Sequence, residues 1–112
     1  MKIYNKLVRD RIPEIIEKAD KVAAYRHLDD LEFREALRAK VVEEAEELAA
    51  ASEDTLPTEL ADLAEVFDAV LRAYNVTNED LSALRVQRNA ERGRFDKRIF
   101  LEWVSDRTQS IE

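Results

Sequence analysis

Along the middle of the chain, apolar positions recur at a helical spacing. Placed at about 100° per residue, Leu37, Val41, Leu48 and Ala51 fall on one stripe. Leu60, Leu63, Val66, Phe67, Val70, Leu71 and Tyr74 form a second, wider face. The pattern predicts two long helices, over 31–52 and 57–74. Asp29-Asp30 caps the first, and Pro57 sits in the first turn of the second. The acidic linker at 53–56 is short enough to force an antiparallel αα-hairpin. A shorter helix is expected at 12–20, with Asp10 as N-cap and Pro13 early. Another is expected at 79–92, capped by Thr77 or Asn78 and ended by Gly93. Its apolar face (Leu81, Leu84, Val86) is thin. Its row of Arg85, Arg88 and Arg92 suits a solvated face as well as a phosphate contact. The β-branched and aromatic content of 98–104 predicts a short strand, with 22–28 as its partner. The expected fold is mainly α, a helical hairpin or bundle with a short peripheral β-strand pair. A single domain over 1–112 follows, with a frayed polar tail at 105–112.

Two breaks in the pattern carry chemistry. Glu44 projects from the middle of the first apolar stripe, and Glu47 lies on its border one turn along. Glu46 points the opposite way, into water. On the second helix Glu59 falls inside the apolar face and Asp62 at its edge, beside Ala69 and Ala73. A carboxylate aimed at a core carries a large desolvation cost unless it is paired or holds a metal. No Lys or Arg is equally placed on these faces, so divalent cations between the helices are the economical explanation. Glu46, Glu65, Asp68 and Arg72 read as solvated, the last two as an exposed pair at i,i+4. His27 reads as a lone histidine without chemistry, and Phe100 and Trp103 as core or interface rather than a base-stacking shelf.

Composition narrows the partners. The 112 residues include no cysteine, which removes thiolate metal sites and disulfides. No apolar run approaches the length of a membrane span, and the first five residues lack the apolar core of a signal peptide. A soluble, cytoplasmic protein is expected. The net charge of −7 is segregated: residues 1–28 carry +3, residues 29–80 carry −12, and residues 81–112 carry +2. An acidic centre argues against nucleic acid, which needs a continuous basic footprint. Basic flanks around it suit a metal site that receives a phosphorylated small molecule.

The two clusters, Glu43-Glu44-x-x-Glu47 and Glu59-x-x-Asp62, lie in that order on consecutive helices. In this the sequence resembles the MazG-like all-α nucleoside triphosphate pyrophosphohydrolases, the superfamily that includes phosphoribosyl-ATP pyrophosphohydrolase. "YNKLVRDRIPEIIE" at 4–17 and "ERGRFDKRIFLEW" at 91–103 are similar to the termini of its compact single-domain, house-cleaning branch. The chain departs from that pattern at Gly93-Arg94, where such relatives often have two glycines.

The resemblance implies Mg²⁺, with Mn²⁺ as a substitute, held by Glu44, Glu47, Glu59 and Asp62. Glu43 would act from the outer shell, making Glu43, Glu44 and Glu47 the catalytic acids. Hard oxygen ligands suit such ions. Water would attack the α-phosphorus, and pyrophosphate would leave with a nucleoside monophosphate. Lys6, Arg9, Lys97 and Arg98 are the candidates for phosphate contact. The resemblance also implies a homodimer or higher even assembly. Two full apolar faces point the same way, because pairing two hairpins into a four-helix bundle would cover them. The rival reading from another class is a non-catalytic acidic helical module that binds a partner or a cation. Within the enzyme class, phosphoribosyl-ATP hydrolysis ranks lower, because the termini match the stand-alone branch.

Overall fold

The computed structural model describes residues 1–107. Among these residues there are four helices: α1 (Ile12–Lys18), α2 (Asp30–Ala50), α3 (Leu56–Ala73) and α4 (Asn78–Arg92). The chain divides into two compact units, Met1–Asn78 and Glu79–Glu112. The expected fraying of the tail falls largely on 108–112, outside the described residues.

In the first unit α2 and α3 pack along each other as an antiparallel hairpin. Asp29 starts α2 as a true N-cap, its side chain accepting from the Glu32 amide at 2.8 Å. The hairpin turn is closed locally by Ser52, whose carbonyl accepts from the amides of Thr55 (3.2 Å) and Leu56 (2.9 Å). The Glu59 amide then donates to the Thr55 carbonyl at 3.1 Å, which sets Glu59 in the first turn of α3. There the positive end of the helix dipole favours its charge. The far end of α3 closes without glycine. Asn75 takes φ +58°, and the amides of Asn75 and Val76 donate back to Arg72 and Leu71 at 3.3 and 2.9 Å. Asn tolerates this left-handed position better than most residues.

The helix at the N-terminus starts one residue later than Asp10 would set it. Arg11 is the N-cap, with no side-chain cap, and the Ile12 amide donates to the Arg9 carbonyl at 3.0 Å. That turn ties Arg9 to the base of α1. Residues 1–11 run without regular structure, and Asn5, Lys6 and Leu7 of this N-terminal strap line a hollow of about 140 Å³ with Ala36, Ala39, Lys40 and Glu43 of α2. The core is thin. Leu37, 3% exposed, is the one buried apolar residue among the described residues, and no side chain there is fully shielded.

In the second unit Gly93 follows α4 with φ +77°, the left-handed geometry that ends helices and that glycine adopts without strain. The expected strand pair does not form. Among the described residues there is no strand, and 22–28 and 98–104 are both irregular. Val22, Tyr25, Ile99, Phe100, Leu101, Trp103 and Val104 are all exposed, so most of the large apolar side chains of the two segments are not packed. A lone two-stranded pair is marginal in water without such packing. Phe100 and Trp103 are therefore not core residues of this chain. Among the described residues no helix is long and apolar enough to cross a membrane.

Candidate metal centre

The hairpin brings three of the four expected acids, Glu44, Glu59 and Asp62, together, while Glu47 groups with Glu43 and Glu44 on α2. One carboxylate oxygen each from Glu44, Glu59 and Asp62 lie within 4.8 Å of one another, and so do one each from Glu43, Glu44 and Glu47. Glu44 is common to both triads. Helix geometry explains the first grouping: the hairpin turn sets Glu59 and Asp62, three residues apart on one face of α3, opposite Glu44 on α2. Glu44 is only 7% exposed, and Glu59 and Asp62 are half-buried, while Glu47 stays exposed at the border. Glu46 is exposed, and Asp68 forms the expected pair with Arg72 at 3.1 Å.

Partners are shared unequally among these acids. Lys6 Nζ donates to Glu43 Oε1 at 2.8 Å, and Lys40 Nζ lies 3.3 Å from Glu43 Oε2, so both oxygens of Glu43 face ammonium groups. Arg9 Nη2 donates to Asp62 Oδ1 at 3.0 Å. Lys40 Nζ also lies 3.5 Å from Glu44 Oε1. The buried oxygens that find no partner among the described residues are Oε2 of Glu44 and Oε2 of Glu59. A buried acceptor left unpaired is rare in native proteins and costs about 1–3 kcal/mol.

The electrostatics follow the same division. The hydrogen bond from Lys6 holds the Glu43 carboxyl below its ordinary value, with Lys40 adding to the effect. The same bond raises Lys6. Burial, followed by the negative charge of Glu47, pushes Glu44 up, and Lys40 opposes the shift. Five carboxylates against Lys6, Arg9 and Lys40 leave two negative charges in excess. The donors are carboxylate oxygens without nitrogen or sulfur, the set that a hard divalent cation such as Mg²⁺ or Mn²⁺ takes. Two unpartnered buried oxygens on facing helices fit that group.

One sequence expectation is corrected here. A cation does share the apolar stripe with Glu44, because Lys40 stands one turn earlier on the same helix. Its spacing of three from Glu43 and four from Glu44 was legible as an i,i+3 and i,i+4 pairing. Of the four basic candidates, Lys6 and Arg9 reach the acids, whereas Lys97 and Arg98 are exposed residues of the second unit. No family model, curated protein or solved structure matches this chain.

Proposed function

We propose that the chain is a Mg²⁺-dependent pyrophosphohydrolase that converts a nucleoside triphosphate to its monophosphate and pyrophosphate. One observation carries the reading: the partnerless buried oxygens of Glu44 and Glu59 on facing helices, with Asp62 within reach. The ordered pair of acidic motifs and the similar termini add the substrate class. Glu44, Glu47, Glu59 and Asp62 would hold the cation, and Lys6 and Arg9 would meet an arriving polyphosphate. When bound, the cation supplies an activated water and offsets charge on the phosphates. Glu43, engaged by two lysines, anchors the strap and keeps Lys40 and Lys6 in place. The reaction adds water to the α-phosphorus and breaks its bond to the bridging oxygen of the β-phosphate, so pyrophosphate departs. The working form in this reading is a homodimer, which would cover the exposed Leu60, Phe67 and Tyr74 of α3.

A nucleotide panel incubated with Mg²⁺ tests the reading. Pyrophosphate with a monophosphate is the expected product pair. Orthophosphate with a diphosphate defeats the α-phosphorus assignment. Cation binding without turnover of any nucleotide favours a non-catalytic cation-binding module instead.

A further inference from the structure

We infer that Lys40 is a resident counter-cation of the carboxylate centre, which steadies the site without metal and lowers its affinity for divalent cations. The inference rests on the metal reading above and deepens it. Lysine side chains seldom leave solvent, yet that of Lys40 is only 14% exposed. Asn5, Lys6 and Leu7 line one hollow with it. Its ammonium lies 3.5 Å from Oε1 of Glu44, whose Oε2 is one of the two unpartnered buried atoms. One carboxylate thus has a fixed positive charge on one oxygen and a vacant acceptor on the other.

The two roles of Lys40 follow from that position. Without metal, its charge offsets part of the repulsion among Glu43, Glu44 and Glu47. With a divalent cation on Glu44, the same charge becomes a close like-charge neighbour in a poorly solvated place, where Coulomb terms are large. Lys6 and Arg9 are weaker in this respect. Their side chains are 40% and 58% exposed, and solvent screens them. Lys6 also contacts Glu43, whose two oxygens are already engaged.

The test is calorimetric titration of the full chain with Mn²⁺, beside thermal midpoints with and without Mn²⁺. Lys40→Met and Lys40→Gln should bind Mn²⁺ about tenfold more tightly, the scale on which one neighbouring charge shifts a carboxylate equilibrium. Both should melt lower than wild type in metal-free buffer and gain more from Mn²⁺. Lys40→Arg, which keeps the charge, should behave like wild type. A merely structural lysine would lower both midpoints together and leave affinity unimproved. Equal or weaker Mn²⁺ binding by both neutral variants, with wild-type binding intact, overturns the inference and leaves the metal reading standing. If the neutral variants fold only when Mn²⁺ is present, the inference holds. If Mn²⁺ does not restore them, it falls. Failure of wild type to bind Mn²⁺, or undiminished binding by Glu44→Gln, removes the metal reading and the inference together.

Discussion

Glu44 on α2 and Glu59 on α3 each present a buried Oε2 without a hydrogen-bond partner, and each belongs to one triad with Asp62. Two acids from different helices share the same deficit at the same place. Misplaced solvent-facing glutamates would not give that arrangement, because their oxygens would be hydrated.

Activity should therefore divide the acids by position. Glu44→Gln, Glu59→Gln, Asp62→Asn and Glu47→Gln should each lower turnover by about a hundredfold or more, with the helical circular-dichroism signal intact. Glu46→Gln and Glu65→Gln, both exposed, should stay near wild type. Equal losses across all six variants would contradict the placement argument.

Without metal, Glu44 should be a liability. Its folded pKa is raised, first by burial, so the native state binds more protons than the unfolded chain above about pH 4.5. Stability from this group is full below the unfolded value and falls as pH rises towards the folded one. Glu43 has the opposite sign: its lowered pKa stabilises the fold above 4.5, and that contribution is lost as pH falls below it. Metal-free melting curves should thus show a decline above 4.5 that Glu44→Gln flattens, and Glu44→Gln should melt higher than wild type near neutrality. Saturating Mg²⁺ should reverse that ranking. An unchanged pH profile in Glu44→Gln would show that the buried charge carries no such cost.

Arg9 and Lys6 should affect substrate more than fold. Their ion pairs with Asp62 and Glu43 are partly exposed, and each contributes no more than about 1 kcal/mol to stability. Arg9→Ala and Lys6→Ala should raise KM for the preferred nucleotide about tenfold while shifting the melting temperature little. A large loss of stability with unchanged KM would make them structural straps only.

The proposed dimer would cover the exposed Leu60, Phe67 and Tyr74 of α3. Light scattering should give about twice the 13.0 kDa chain mass, and Phe67→Arg should shift the protein towards monomer. A wild-type protein that is monomeric and fully active at micromolar concentration would rule out the dimer.

Much of the hairpin was legible in the residues, because a 3.6-residue period and local capping are short-range properties. The stripe through Leu37 and Val41, the Asp29 cap, Pro57 near the start of α3 and the helix end at Gly93 all depend on neighbours within a turn or two. The inward aim of Glu44 and Glu59 could be read the same way, since period alone sets the face. The strand pair was not decided locally. Residues 22–28 and 98–104 have β-forming composition, but strands need a partner and an apolar surface, and most large apolar side chains of these segments stay exposed among the described residues. Partnering was also a tertiary matter. Residues 1–11 carry Lys6 to Glu43 and Arg9 to Asp62 across gaps of 37 and 53 positions, which no local pattern encodes. Lys40 lies between these cases. Its spacing from Glu44 is a property of the sequence, but its low exposure beside residues 5–7 comes only from the folded chain, because two distant segments must meet there.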